Sequence, residues 1–176
     1  KHPEAAVQLA ASLKEKGYSF RMSMIGNGEM EMQLHDMIRE KGLEDCVEML
    51  GAMPPEEVRR HMEKADIYLF TSDFNEGWGA VLNESMNSGC AVVASHAIGS
   101  VPFLIKNGEN GLIYENGNQL DLEKQVLRLL EDGAFRKKIA ENAYETMINL
   151  WNAETAAERF LTLTEKLLKN ENTDSL

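Results

Sequence analysis

Short apolar runs alternate along this chain with longer segments whose apolar residues recur at helical spacing. Five runs have the length and composition of buried strands, at 20–25, 47–50, 67–70, 90–94 and 111–114. Helical periodicity predicts helices at 4–16, 29–41, 54–64, 79–88, 118–130, 134–150 and 153–168. Strand and helix repeated at this spacing form parallel βαβ units with right-handed crossovers. The pattern therefore predicts an α/β, Rossmann-like, doubly wound parallel sheet with helices on both faces.

The first predicted helix, at 4–16, has no strand before it. A doubly wound unit feeds each helix from a strand, so we expect a first strand upstream of Lys1. The sequence also starts without Met, which indicates a fragment of a longer protein. We expect residues 1–176 to form one domain, with a disordered polar tail at 170–176.

Charge and ligand spacing limit the kinds of partner. The formal net charge of −11 disfavours nucleic acid and acidic lipid, although a helix N-terminus in an acidic protein can still hold a small anion. Neither Cys46 nor Cys90 has a second Cys or a His at ligand spacing, and the four histidines are scattered. We therefore expect no metal site and no cofactor.

The segment 72–84 is the strongest candidate for a binding site. It follows the strand predicted at 67–70, and ligands of open α/β sheets bind at the carboxyl ends of the strands. Gly77 and Gly79 allow the backbone to approach a ligand closely, and a helix is predicted to begin near Gly79. The unpaired N–H groups at a helix start favour an anion such as a diphosphate. We expect a side chain at Gly79 to impair binding more than folding.

Two acidic residues flank this predicted anion site. Glu84 lies off the predicted buried stripe of its helix, and helical side chains tilt toward the N-terminus, so its carboxylate can accept the hydroxyls of a ribose. Glu76 precedes the glycines and can hold the hydroxyls of a sugar. On spacing alone, a loop acid and a solvated helix face explain the two residues equally well.

The wider pattern resembles the signature of the group 1 (family 4) glycosyltransferases. That signature reads S-x-x-E-G-F-G-x-x-x-x-E-A-M-A-x-G-x-P-V-V-A-S, and the match runs in register from Glu76 to Ser95, with Ser72 one residue farther from Glu76 than in the signature. Trp78 replaces the usual Phe, and Ser85 replaces an Ala. Other stretches resemble the same family, among them those at 24–28, 107–113 and 157–160.

The resemblance implies site residues one by one. Glu76 and Lys1, which stands in a K-x-P-E context, are implied to be catalytic. Donor-binding roles are implied for Gly77, Trp78, Gly79, Ala80, Val81 and Glu84, and for the base-contacting loop Gly51, Ala52 and Met53. The family's G-G-x-P-E appears here with Ser100 in place of the second Gly and Phe103 in place of the acid, so any role of that acid is absent.

The resemblance further implies the C-terminal half of a GT-B fold, which binds a nucleoside-diphosphate sugar for a retaining, metal-independent hexosyl transfer. An N-terminal domain would bind the acceptor, a glycan or a lipid-linked sugar, and the isolated domain would be inactive. The implied location is cytoplasmic, with peripheral association at the inner membrane left open. Two alternatives remain: a non-catalytic nucleotide-sugar-binding module, and another GT-B enzyme such as a UDP-sugar 2-epimerase.

Overall fold

A computed structural model describes residues 1–169 of the chain. The tail expected at 170–176 lies outside the described residues. The described part has five strands, β1 (Met22–Ile25), β2 (Val47–Gly51), β3 (Ile67–Phe70), β4 (Ala91–Ser95) and β5 (Leu112–Tyr114). Its eight helices are α1 (Pro3–Glu15), α2 (Glu31–Glu40), α3 (Pro55–Met62), α4 (Val81–Asn87), α5 (Val101–Leu104), α6 (Gln119–Glu131), α7 (Gly133–Asn149) and α8 (Ala153–Leu168).

The strands form two parallel sheets rather than the single sheet that the sequence predicts. β1 pairs with β2, and β3, β4 and β5 pair in that order, all in parallel. No ladder joins the two sheets within residues 1–169. Helix α1 connects them, since Leu9 and Leu13 pack into the core of the larger sheet and Val7 and Ala10 into that of the smaller. The strand expected upstream of Lys1 stays a prediction.

Strand β4 shows that helices cover both faces of the larger sheet. All five of its residues are buried, as expected for a central strand. Val92 and Ala94 pack with residues of α4, α5 and α7, whereas Ala91 and Val93 pack with residues of α1 and α6. Because successive side chains of a strand point to opposite faces, the two clusters lie on opposite sides of the sheet. The predicted α/β class with parallel strands and helices on both faces is confirmed.

Two local features differ from the sequence prediction. α4 begins at Val81 rather than near Gly79, because the backbone of Gly79 has a φ of +75°, outside the helical region. α5 was not predicted, since its four residues are too few for a periodic pattern to show. α6, α7 and α8 begin where an Asn or Asp side chain caps the helix, at Asn118, Asp132 and Asn152.

Candidate functional site

The loop 71–80 leaves the carboxyl end of β3 and leads into α4. It starts at the buried residues Thr71 and Ser72 and passes Gly79, whose positive φ turns the chain toward the helix. A Cβ at Gly79 would lie 2.8 Å from two ring carbons of Phe70, the last residue of β3. Only glycine satisfies both the dihedral and the space, so the loop is packed directly onto the core.

The segment that follows β4 packs against this loop. The N–H of Gly99 donates to the carbonyl of Glu76 at 3.4 Å, and the N–H of Ser100 donates to the carbonyl of Trp78 at 3.2 Å. A Cβ at Gly99 would overlap the carbonyl oxygen of Gly77, so a glycine is required at this contact too. The loop containing Glu76 and Trp78 is thereby held from two sides.

Lys1 and Glu76 form an ion pair at this end of the sheet. Nζ of Lys1 lies 3.1 Å from Oε2 of Glu76, and the hydroxyl of Ser72 donates to the same oxygen at 3.1 Å. The hydroxyl of Thr71 donates to the carbonyl of Lys1 at 2.9 Å, which fixes the backbone of Lys1 beside the loop. The Lys1 side chain is 73% exposed and that of Glu76 is 18% exposed, so the lysine is free to reach a ligand.

His2 adds a second charged contact between the start of α1 and the same loop. Its ring nitrogens hydrogen-bond Asp73 at 2.9 Å and Glu4 at 3.0 Å. These bonds raise the pKa of His2, Asp73 contributing most and Glu4 next. The bond from His2, followed by one from the backbone of Asn75, lowers the pKa of Asp73 to about 2. Sequence reasoning missed both residues, because they occupy variable positions of the pattern.

Asn116 was also missed, and it joins three loops. Its side-chain amide donates to the carbonyl of Ser72 at 3.3 Å and to the hydroxyl of Ser95 at 3.1 Å. Its backbone N–H donates to Nδ1 of His96 at 2.9 Å. The loops after β3, β4 and β5 are therefore linked at one edge of the sheet. Nothing in the local sequence around a single Asn signals such a role.

Four consecutive backbone N–H groups are available in the loop. Those of Gly77, Trp78, Gly79 and Ala80 have no hydrogen-bond acceptor within residues 1–169. Trp78 and Ala80 are exposed, whereas Gly79 is buried. Unpaired N–H groups in a turn before a helix form an anion-binding concavity. The arrangement is therefore able to hold a small anion such as a phosphate.

Glu84 lies on the exposed face of α4. The residues predicted to form the buried stripe of this helix are inside, Leu82, Ser85 and Met86 fully and Val81 in part. Glu84 makes no ion pair or side-chain hydrogen bond in the described part of the chain, and the side-chain partners of Glu76 there are Ser72 and Lys1. Its placement off the core agrees with the sequence prediction.

The predicted base-contacting loop lies at the end of the other sheet. Gly51 has a φ of +68° and its carbonyl accepts from the N–H of Gly26 at 2.8 Å. The N–H groups of Ala52 and Met53 have no acceptor among the described residues. No hydrogen bond within residues 1–169 links this loop to loop 71–80.

The side chain of Trp78 packs with residues other than the Lys1–Glu76 pair. Its indole N–H donates to Oδ1 of Asn83 at 2.9 Å, and its ring meets those of Phe103 and Trp151. Trp78 was predicted to bind the donor, and its backbone N–H is available for that role while its side chain faces a separate aromatic group.

The described residues contain no group of three His, Cys, Asp or Glu side chains placed to hold a metal ion. Among residues 1–169, no helix combines the length and apolar character required to cross a membrane.

Comparison with known proteins identifies the family of this chain. The family model of glycosyl transferases group 1 matches residues 1–146. The amylovoran biosynthesis glycosyltransferase AmsK of Erwinia amylovora is 35% identical over 134 residues, which cover 73% of this chain and 33% of that protein.

Two solved structures have the same fold. A mutant of S. aureus TarM, in complex with fondaparinux, α-GlcNAc-glycerol and UDP, superposes with a TM-score of 0.82 at 24% identity, over 92% of this chain and 32% of TarM. The C-terminal domain of the group 1 family protein LpcC from Francisella tularensis gives a TM-score of 0.77 at 24% identity, over 85% of this chain and 79% of that domain.

The chain spans about a third of the length of AmsK and of TarM. The family model, by contrast, covers most of the chain and includes loop 71–80, the Lys1–Glu76 pair and α4. The resemblance that the motif indicated is confirmed: this chain belongs to the group 1 glycosyl transferases.

Proposed function

We propose that this chain is the donor-binding domain of a retaining, metal-independent glycosyltransferase that uses a nucleoside-diphosphate sugar. The observation that carries the proposal is the row of four unpaired N–H groups at Gly77–Ala80 beside the Lys1–Glu76 pair. An anion site and a carboxylate next to each other match the two chemically different ends of a sugar diphosphate.

The diphosphate would lie on the N–H groups of the loop, with Lys1 neutralising its charge. α4 has only seven residues, so the unpaired N–H groups contribute more to the site than the dipole of the helix. Val81 starts the helix at the edge of this site. Glu84 would accept the ribose hydroxyls, and the free N–H groups of Ala52 and Met53, next to Gly51, would meet the base.

Glu76 would hold the transferred sugar. Its Oε2 is already oriented by Ser72 and Lys1, so its other oxygen remains available for a sugar hydroxyl. In the reaction, the bond between the anomeric carbon and the diphosphate oxygen would break, and its electron pair would stay with that oxygen. The acceptor hydroxyl oxygen would form the new bond on the same face, and its proton would pass to the departing diphosphate. Lys1 and the loop N–H groups would stabilise the negative charge that develops on the leaving diphosphate.

The acceptor would bind to an N-terminal domain of the full-length protein, so the chain alone would bind donor without transferring sugar. The TarM complex contains UDP together with saccharides, and AmsK is named for polysaccharide biosynthesis. We infer a glycan or a lipid-linked sugar as the acceptor here.

A thermal-shift screen of UDP-, GDP- and ADP-sugars against the chain tests donor binding. A ligand at about 100 times its dissociation constant stabilises a folded protein by about 2.7 kcal/mol, so one nucleotide class should raise the melting temperature clearly. The variant Lys1→Ala should reduce the shift. If none of the nucleotide-sugars stabilises the chain at millimolar concentration, the donor-binding role is wrong. Transfer by the full-length protein separates an enzyme from a non-catalytic binding module.

A further inference from the structure

His2 holds a backbone conformation that its place in the sequence disfavours. Its φ of 48° and ψ of 51° lie in the left-handed region, and among residues 1–169 it is the only non-glycine residue with a positive φ. This region is costly for residues with a side chain, and a residue before a proline, here Pro3, ordinarily has an extended backbone. A strained conformation persists only where surrounding contacts hold it. The contacts around His2 must therefore offset this strain.

The side chain of His2 supplies two of those contacts. Nδ1 lies 3.0 Å from Oε1 of Glu4 on α1, and Nε2 lies 2.9 Å from Oδ2 of Asp73 in loop 71–80. Ionised carboxylates only accept hydrogen bonds, so both ring nitrogens donate only when the imidazole is protonated. A neutral imidazole has a single N–H and loses one of the two contacts. The bridge from α1 to the loop is therefore complete only in the charged form of His2.

The conformation of His2 sets the position of Lys1. Because Lys1 precedes His2 and α1 begins at Pro3, the dihedrals of His2 determine the direction of Lys1 relative to the helix. With the left-handed backbone, the carbonyl of Lys1 accepts from the hydroxyl of Thr71 at 2.9 Å, and its ammonium lies 3.1 Å from the carboxylate of Glu76. A change of His2 to an extended backbone would move Lys1 relative to both partners.

We propose that His2 is a positioning residue for nucleotide-sugar binding. Its protonated ring, held between Glu4 and Asp73, keeps Lys1 beside the free N–H groups of loop 71–80, and loss of the proton releases Lys1 and weakens donor binding. This role rests on the proposed function, in which Lys1 neutralises the diphosphate. The consequence is a donor affinity that falls as the pH rises.

The charged and titratable groups around His2 favour its protonated form. Asp73 raises the pKa of His2 most and Glu4 next, whereas desolvation and the α-amino group of Lys1 lower it. Asp73 stays ionised above its own pKa of about 2. Tyr114 of β5 lines a cavity with His2 and Glu4, and burial raises the pKa of Tyr114 to about 12, so it is neutral. The residues that the start of α6 contributes to this cavity carry no charge.

The sign of the pH dependence follows from these groups. Because the pKa of His2 is raised, its two contacts are complete below the ordinary histidine value and are lost as the pH rises through the raised one. Calorimetric titration of UDP-, GDP- and ADP-glucose into the chain at about pH 5.5 and about pH 8.5 brackets this change. The diphosphate of these ligands is esterified at both ends, so its charge is constant over the range. We expect the wild type to bind its preferred ligand about three to five times more weakly at the higher pH, as for the loss of an exposed charge pair.

Two variants assign the pH dependence to His2. His2→Gly adopts the left-handed backbone freely but lacks the ring, so at both pH values it should bind as weakly as the wild type does at the higher one. His35→Ala is the control, because it removes an exposed histidine of α2 and should keep the wild-type profile.

A double-mutant cycle tests whether His2 acts through Lys1. At about pH 5.5, adding His2→Gly to Lys1→Ala should cause no further loss of affinity, because the group that His2 positions is already absent. Asp73→Asn distinguishes positioning from a direct effect of charge. It should weaken binding at this pH because His2 loses a charged partner, whereas a direct effect would strengthen binding, since a negative charge beside an anion site is removed.

Failure of the positioning role and failure of the donor site give different results. If none of the three nucleotide-sugars binds the wild type, the proposed function is wrong, and the role of His2 with it. If one of them binds with the same pH dependence in wild type and His2→Gly, another group titrates and only the role of His2 is wrong. That role would also be overturned by fully additive losses in the cycle, or by unchanged or tighter binding in Asp73→Asn.

Discussion

The ammonium of Lys1 and the carboxylate of Glu76 lie 3.1 Å apart, although one residue precedes α1 and the other follows β3. The contact places a positive and a negative group at one edge of loop 71–80. Lys1 is largely exposed, so its pair with Glu76 is a weak one that a diphosphate can replace. Under the proposed function, Lys1→Ala and Glu76→Ala are therefore expected to differ in their effects on the affinities for nucleotide and for nucleotide-sugar.

Glu84→Gln should weaken donor binding without harming the fold. A hydrogen bond to a charged group contributes about 1.5–3 kcal/mol, and the amide would lose most of that gain at the ribose. Glu84 is exposed on α4, so the melting temperature should stay unchanged. Calorimetry with UDP measures the affinity, and Glu145→Gln, at an exposed position of α7, is the control. Equal UDP affinity in wild type and Glu84→Gln would exclude the ribose role.

Gly79→Ala should destabilise the chain, and Gly77→Ala should not. The Cβ at Gly79 would lie 2.8 Å from ring carbons of Phe70 at a φ of +75°, whereas a Cβ at Gly77 meets nothing within 4 Å. Positive φ and overpacking together cost about 2 kcal/mol or more. Urea denaturation compares the two variants. The sequence expectation that a side chain here impairs binding more than folding is thus revised, because Phe70 occupies the space.

Equal stability of Gly77→Ala and Gly79→Ala would contradict this packing. Gly77→Ala also serves a second purpose. Because the variant should fold normally with a methyl group beside the free N–H groups, any change in its UDP affinity reports on anion binding and not on stability.

Ser100→Ala should leave stability unchanged or raise it by about 1 kcal/mol. The hydroxyl of Ser100 is buried and has no partner among the described residues, and an unsatisfied buried polar group costs about 1–3 kcal/mol. Ser85 is the matched control, because it is equally buried but its hydroxyl donates to the carbonyl of Leu82 at 3.0 Å. Ser85→Ala should lower the free energy of unfolding. A clear loss of stability in Ser100→Ala would show that its hydroxyl does have a partner.

The fold class could be predicted from the sequence because each strand and helix is marked by a pattern of apolar residues within its own segment. The run at 90–94 is apolar throughout, which predicts a central strand, and β4 is fully buried. The split into two sheets did not follow, since strand pairing depends on partners far apart in the chain. The start of α4 was placed two residues early, because a positive φ at Gly79 cannot be distinguished from helical glycine by periodicity.

The candidate site was predictable only where a motif marks it. Glu76 and Lys1 were named from the motif, and the structure brings them together. His2, Asp73 and Asn116 were missed, because each acts through a contact between segments that are distant in sequence. The contacts of Trp78 with Phe103 and Trp151 were missed for the same reason, since the three rings come from three separate segments.

The pH dependence of the His2–Asp73 contact provides a fourth prediction. The pKa of His2 is raised above 6.5, so its contribution to stability is present below 6.5 and is lost as the pH rises through the raised value. The pKa of Asp73 is lowered from 3.8 to about 2, so its contribution is present above 3.8 and is lost as the pH falls toward 2. The contact is therefore intact between about pH 4 and 6.5.

An NMR titration of the His2 ring protons checks this assignment. Asp73→Asn should lower the pKa of His2 more than Glu4→Gln does, because Asp73 is the larger cause of the shift. If the two variants have equal effects, or if the pKa of His2 is not raised in the wild type, the contact is not formed in solution.

Glu76→Ala should separate the sugar from the nucleotide. Glu76 would hold the transferred sugar, so its removal should weaken a nucleotide-sugar by about 1–3 kcal/mol, one or two hydrogen bonds to a charged group. The bare nucleoside diphosphate should bind as tightly as before or slightly more tightly, because Lys1 loses its partner at 3.1 Å and becomes available to the phosphates. Calorimetry with UDP and with UDP-glucose measures both affinities.

Two further variants are expected to weaken both ligands and so serve as comparisons for Glu76→Ala. Lys1→Ala should weaken both ligands, since it removes charge from the diphosphate site, and Glu84→Ala should also weaken both, through the ribose. If Glu76→Ala leaves the two affinities unchanged, Glu76 is either a solvated loop acid or needs the acceptor domain to engage the sugar. The same variant in the full-length protein decides between these, because an unchanged transfer rate and an unchanged donor affinity there would remove Glu76 from the site.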